Sequence, residues 1–325
     1  MRSEILNMPS RFRRLGALVI CSLIACFGTH VVAQDAPHGT PFPFAPNGFP
    51  NNPEKMFQTM FGPSTPEENE KLDSVKISFI EEREYGQPIV DAYLDDLRLR
   101  KLTVVRKGPE VDYLRQLVDT IQPSMKTAKR YKKITIYFVD SPDIDARAVA
   151  GGTLFFFKGL LTFAKSEAAL IGIVGHELSH LDREHLLVPL KRSRIMQQNP
   201  FSGGAGFNPQ KFFSTGTTMM RLMGRPFRPE DEAAADRDGA AWAFEAGYDP
   251  RETADLFARL HHKNQDQKVP FGDFFRTHPY NEDRVDAILK QYAELKKKNP
   301  PDGKLYLGRK NLTQRIAKSQ QEFPE

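Results

Sequence analysis

Residues 167–188 narrow what this chain can become more than any other segment, because an apolar helical pattern there carries His176, Glu177 and His180 in its middle. Ser166 supplies an N-cap and Pro189 a stop, so the pattern predicts a helix over 167–188. Ile171, Ile173, Val174, Leu178 and Leu181 flank the polar residues and would bury the helix, presenting those groups from a rigid element.

His176-Glu177-Leu178-Ser179-His180 has the spacing of a zincin site. Residues four apart on a helix lie one turn apart on one face, so both imidazoles can reach the same ion. Glu177 lies about 100° round from His176, placed to touch a water rather than the metal. A catalytic zinc site usually needs a third protein ligand. The candidates are Glu232, His185, His261, His262 and His278. His185 follows His176 by nine residues, which on a continuous helix points it to nearly the opposite face, so it reads as structural. His261 and His262 end a predicted helix, where a cation also favours the dipole. Glu232 is the strongest choice. Glu232-Ala-Ala-Ala-Asp236 puts two carboxylates on one helical face, one to bind metal and one to accept the second ring N–H of a ligand histidine. Ala233, Ala234, Ala235 and Ala240 would let that helix approach another closely.

Around this centre the pattern predicts helices over 77–99, 109–121, 229–246, 250–262 and 281–298. Alternation predicts a strand over 133–139, preceded by two helices, and an extended segment follows over 152–157. Residues 191–228 are rich in Gly and Pro and read as a long loop, its 201–224 part either a lid over the cleft or without structure. The polar tail over 300–325 shows no clear structure.

At the other end, Arg11, Arg13 and Arg14 precede an apolar run and small residues ending at Ala33, the order of a secretory signal over 1–33. Two processing routes compete: cleavage after Ala33, or a lipobox-like Leu23-Ile24-Ala25-Cys26 that would leave a lipidated Cys26 as a membrane tether. Apolar residues continuing past Cys26 favour the first. Residues 34–72 are rich in Pro, Gly and Phe and read as a linker before a domain over 73–299. Both cysteines lie before residue 34, so the expected folded part has neither a disulfide nor a thiolate metal site. Four Arg and one Glu of the +5 balance also lie in residues 1–33, leaving +2, which gives no reason to expect nucleic-acid binding. Hydrophobic and charged fractions of 40% and 27% exclude wholesale disorder and a polytopic membrane protein.

Gly151-Gly152, Gly159-Leu160-Leu161, the His176–His180 motif, Glu232-Ala-Ala-Ala-Asp236-Arg-Asp-Gly239, Ala246-Gly247-Tyr248-Asp249-Pro250 and His278-Pro279 with Arg284 occur in this order. Together they resemble metallopeptidase family forty-eight, the group of heat-shock envelope proteases and prenyl-protein endopeptidases. The resemblance spans residues 77–295 and implies an α+β fold of the zincin-like (gluzincin) type, mostly helical with a small sheet whose edge strand borders the active-site cleft. It implies His176, His180 and Glu232 as ligands of one zinc ion, Glu177 as catalytic base and Asp236 as support for a ligand histidine. It implies that residues 152–157 are the edge strand on which an extended substrate lies. His278 resembles the family's late histidine, which stabilises the tetrahedral intermediate or caps the metal at rest, with Arg284 in support. Asp145 and Ala150 depart from the Asn and Pro frequent in the family, and no run of transmembrane helices is present. The soluble or lipid-anchored bacterial envelope members are the better guide.

The expected function is zinc-dependent endopeptidase action on unfolded or misassembled envelope proteins, bound as extended peptides, in the periplasm or outside the cell. The rival is a zinc-containing chaperone or assembly factor that holds clients without cutting them. Glu177 argues for the enzyme, since a purely structural site has no use for a base beside an open position.

Overall fold

A sheet of four strands divides the core in two. β1 (Thr103–Val105), β2 (Thr135–Asp140), β3 (Ala146–Val149) and β4 (Thr153–Phe157) lie in the order β1-β2-β4-β3, with β2 parallel to β4 and both outer strands antiparallel to their neighbours. The structure, a computed structural model, describes residues 59–60, 62–198, 224–266, 274–280 and 282–325. The expected signal segment with Cys26, the linker up to residue 58 and the 201–223 part of the segment read as a lid or as unstructured lie outside the described residues.

β4 is buried along its whole length, as an apolar run covered on both faces requires. Alternation sends Leu154 and Phe156 into one cluster, with Ile136, Phe138, Ala146 and Ala148. Phe155 and Phe157 join Val139 and Val149 in the other. Helix α2 (Phe79–Leu99), opened by a capping box between Ser78 and Glu81, covers the second face with Tyr85, Ile89, Val90, Tyr93 and Leu97. α3 (Pro109–Ile121) and, after the short α4 (Lys158–Phe163), helix α5 (Glu167–Asp182) cover the first.

The edge strand differs from expectation. Residues 152–157 contain β4, which is paired on both sides, and the outer strand beside α5 is β3. Four residues reading Ala-Arg-Ala-Val are too few and too mixed to register as an alternating pattern. β1 escaped the same way, so a strand lies between the first two predicted helices. Gly151 and Gly152, at φ +88° and +81°, make the turn from β3 to β4. α2 is pressed onto this turn: a Cβ at Gly86 would lie 1.8 Å from the Ala150 carbonyl oxygen, and the Glu82 carboxylate accepts from Gly151 N–H and the Tyr131 hydroxyl.

All sixteen residues of α5 are buried, which makes it the central helix of the domain. It ends earlier than predicted. Glu184 adopts φ +58°, a 3₁₀ turn follows over His185–Leu187, and α6 (Val188–Gln198) begins there. Pro189 thus sits at the start of a helix, where its missing N–H has no intrahelical partner to lose, and residues up to 198 are helical where a loop was expected. α7 (Pro229–Glu245) then packs on α5, as does α8 (Arg251–Asp266), and α9 (Glu282–Lys298) packs on both α7 and α8.

Both polar ends are folded where they are described. Residues 66–74, most of them assigned to the linker, form α1 (Pro66–Ser74), capped by Thr65. The tail contains α10 (Arg309–Gln314) and returns to the start of α5. There Glu167 N–H and Ala168 N–H donate to the carbonyls of Gly308 and Leu307, and Lys318 N–H donates to the Glu167 carboxylate. The tail meets the hydrogen-bonding needs of a helix start, a role that leaves no hydrophobic period to read.

Candidate metal centre

Four ring or carboxylate donors converge where α5 and α7 cross. His176, His180, Glu232 and His278 each offer one ligand atom, all within 4.8 Å of one another, and all four side chains are buried. The two α5 histidines meet through their Nε2 atoms at 3.1 Å, as their four-residue spacing requires. α7 contributes Glu232, whose Oε1 lies 3.3 Å from His180 Nε2, and whose Oε2 lies 3.7 Å from His176 Nε2. His278 closes the group from the short turn before α9, its Nδ1 at 3.0 Å from both His176 Nε2 and Glu232 Oε1.

Proton counting shows that these residues fit a cation. His176 Nδ1 lies 2.9 Å from Asp236 Oδ1, an acceptor, so the proton of a neutral ring sits on Nδ1. Its Nε2 then presents one lone pair, approached by nitrogen atoms of both His180 and His278. One lone pair cannot serve both well, whereas a single cation would satisfy all the nitrogens and Glu232 together. Imidazole nitrogens with one carboxylate suit zinc and other first-row transition metals.

Arg284 and Asp236 hold these donor groups in place. Arg284 Nε and Nη2 donate to Asp236 at 2.7 and 2.8 Å, and its Nη1 lies 2.7 Å from Glu232 Oε2 and donates to the His278 carbonyl at 3.0 Å. Burial alone would raise the Asp236 carboxyl, but the Arg284 guanidinium outweighs it and holds the group below its ordinary range. Burial would likewise raise Glu232, yet His278 and His176 pull it well below the usual carboxylate range. Burial pushes His180 down and His278 down to about 3, keeping both rings in the neutral form a metal needs.

Glu177 stands beside the ligand group. Its Oε2 accepts from Ala148 N–H of β3 at 2.6 Å, and its Oε1 has no hydrogen-bond partner and lies 3.3 Å from His278 Nε2. Burial raises its carboxyl to about 7, against the pull of His176 and the Ala148 N–H. His278 therefore stands between Glu177 on one side and His176 and Glu232 on the other.

Next to Glu177, a cleft runs along β3, lined by Tyr85, Ile89, Val149, Leu186, Pro189 and Phe227. Asp145 and Arg147, at the start of β3, form a buried ion pair at 2.7 Å. The pair occupies the segment where the chain departs from the family's pattern.

The structure thus brings together His176, Glu177, His180, Glu232, Asp236, His278 and Arg284. His261 instead stacks on Tyr280, outside the group. Two neighbours were missed by sequence reasoning. His185, expected on the far face of α5, lies with its Nδ1 at 3.0 Å from His180 Nδ1, because the helix has already broken at Glu184. Phe227 stacks on His180 at 3.8 Å and near His278 at 5.1 Å. One Phe among five in a Gly- and Pro-rich stretch carries no signal that would have marked it.

Comparison with known proteins gives a concordant result. The family model described as Peptidase family M48 matches residues 112–292. The mitochondrial metalloendopeptidase OMA1 of Arabidopsis thaliana is 27% identical over 152 residues, which is 46% of this chain and 30% of that protein. A putative beta-barrel assembly-enhancing protease of Vibrio cholerae is 25% identical over 218 residues, 63% of this chain and 44% of the relative. The beta-barrel assembly-enhancing protease of Escherichia coli is 24% identical over 158 residues, 46% of this chain and 32% of the relative. The chain spans less than half the length of each of these relatives.

Proposed function

This chain belongs to peptidase family M48, and on that premise we propose that it is a zinc-dependent endopeptidase that cuts unfolded or misassembled proteins of the cell envelope. The observation that carries the reading is the buried Glu177 carboxylate, one oxygen bonded to the edge strand and the other unpartnered beside a set of metal-ligand donors. His176, His180 and Glu232 would hold the zinc, and zinc bound there supplies Lewis-acid activation of water and of the scissile carbonyl.

The remaining steps belong to the protein. Asp236 fixes the His176 ring by accepting its Nδ1–H, and Arg284 holds Glu232 and Asp236 in place. Glu177 Oε1 accepts a proton from the attacking water and returns it to the leaving amine nitrogen. β3 is the outer strand, and an extended peptide would pair with its backbone where Ala148 N–H is released by Glu177 while side chains enter the apolar cleft. Backbone pairing selects little by sequence and requires an unfolded substrate, which is why quality control is the favoured role.

His278 has two readings, stabilising the tetrahedral intermediate or capping the site at rest. Its position between Glu177 and the ligand donors favours the cap, with withdrawal when substrate enters. The same position lends support to a client-holding protein that does not cut. Export, by a signal segment or a lipidated Cys26, agrees with the envelope role that the names of the Vibrio and Escherichia relatives suggest. Among the described residues no helix is long and apolar enough to cross a membrane.

The test is digestion of casein by the purified protein and by Glu177→Gln, with bound zinc measured in both. Zinc in both and cleavage by the wild type alone is the expected result. Zinc in both and cleavage in neither favours the client-holding reading, and zinc in neither overturns the site.

A further inference from the structure

The two ligand histidines of α5 are supported differently. His176 leans on Asp236 directly, and Asp236 is gripped by Arg284. Behind His180 stands another ring: His185 Nδ1 lies 3.0 Å from His180 Nδ1, and His185 Nε2 lies 3.5 Å from Asp231 Oδ1. Arg228 grips Asp231 with two donors, Nε and Nη2, at 2.7 and 2.6 Å. Both supports therefore end in an aspartate of α7 held by an arginine.

We propose that His185 and Asp231 are positioning residues that fix the tautomer and ring plane of His180. The inference rests on the reading of His176, His180 and Glu232 as metal ligands. Nε2 of His180 faces His176 Nε2 and Glu232, so as a ligand it presents a lone pair there and carries its proton on Nδ1. That N–H meets His185 Nδ1, which must then be the acceptor. The His185 proton is left on Nε2, the atom that faces the Asp231 carboxylate. Each link in the chain admits one tautomer, and all of them agree with metal binding at His180 Nε2.

The outer end of this relay reaches beyond the family-matched region. Arg228 Nη1 donates to Asn69 Oδ1 at 2.8 Å and to the Ser64 hydroxyl, and Arg192 clamps Glu68 of the same segment with two donors. The α1 segment thus anchors the arginine that holds Asp231. The left-handed residue Glu184 makes the arrangement possible by turning the chain so that His185 comes back beside His180.

The experiment measures zinc affinity by competition with a chromophoric chelator and records the visible spectrum of the cobalt-substituted protein. The variants are His185→Leu, His185→Asn and Asp231→Asn, with thermal unfolding of each metal-free form as the folding control. Loss of an outer support of this kind weakens metal binding by about 10–100-fold, so His185→Leu is expected to fall in that range with shifted cobalt bands. His185→Asn, whose side-chain oxygen can accept from His180 Nδ1–H, should recover most of the affinity, and Asp231→Asn should lie between wild type and His185→Leu. Wild-type affinity and cobalt bands in His185→Leu would overturn the proposal, as would a His185→Asn variant no better than His185→Leu. If His185→Leu does not fold, Asp231→Asn decides, and wild-type affinity there overturns the relay. A wild type that binds no metal would instead overturn the ligand assignment, and the relay with it, before any variant is compared.

Discussion

Gly175 of α5 and Gly239 of α7 touch backbone to backbone: a Cβ built on Gly175 would lie 2.8 Å from the Gly239 Cα, and one on Gly239 would lie 2.8 Å from the Gly172 carbonyl oxygen and 3.0 Å from His176 N. This contact sets how near the histidine helix and the carboxylate helix can approach. Gly175→Ala and Gly239→Ala should each push the helices apart, costing about 1–3 kcal/mol as overpacked sites do and weakening zinc binding. Gly303→Ala, with nothing within 4 Å of its Cβ, is the matched control. Urea unfolding and chelator competition check both effects, and unchanged zinc affinity in the α5–α7 variants would show that the crossing does not set the ligand geometry.

Glu177 titrates against the fold. Burial raises its carboxyl from 4.5 to about 7, so in the metal-free protein between those values the native state holds a proton that the unfolded chain has released. Stability from this group is therefore lost as pH rises through that window, and stays lost above it. Glu177→Gln should stabilise the metal-free protein at pH 8 by up to about 3 kcal/mol, at 1.36 kcal/mol per unit, and have little effect below pH 4. Denaturant unfolding at the two pH values checks the sign. Peptidase activity should run the other way, falling with decreasing pH as the base becomes protonated, at a pH below that window because a bound cation beside Glu177 favours its charged form.

Ile89 projects from α2 into the wall of the cleft beside β3. Ile89→Trp should fill space that a substrate side chain would occupy, raising KM for an unfolded substrate by about tenfold or more, the effect of roughly 1.4 kcal/mol of lost binding. Zinc content should be unchanged, because Ile89 lies outside the ligand set. An unaltered KM would remove this cleft from the substrate path.

The C-terminal segment should prove structural. Glu167 accepts from the hydroxyls of Tyr113 and Tyr248 at 2.9 and 2.6 Å and from Lys318 N–H at 2.8 Å, while Asn311 Nδ2 donates to the carbonyls of Ile316 and Gln321. Deleting residues 315–325 removes the last three partners and leaves buried polar groups short of bonds, at about 1–3 kcal/mol each. The deletion should lower the thermal midpoint clearly, and an unchanged midpoint would show that the tail only rests on the domain.

What the sequence determined by itself was whatever repeats over a few residues. The four-residue spacing of His176 and His180, the apolar surroundings of α5, the Glu232–Asp236 pair and the starts and stops of α3 and α7 are all written in local order. Helical hydrogen bonds close within four residues, so their signals sit side by side in the chain. The ordered motifs added His278 and Arg284 through resemblance, where spacing could not.

Only the tertiary structure decided the rest. β3 is an edge strand because of which strands flank β4, and four residues cannot announce a pairing partner. His185 supports His180 because one left-handed residue at Glu184 ends a helix that the apolar pattern would have continued. Phe227 covers the histidines, and Lys318 bonds Glu167 across 151 residues, through contacts that no local period encodes. These features arise where distant segments satisfy one another's buried polar groups and faces, and that requirement exists only once the chain has packed.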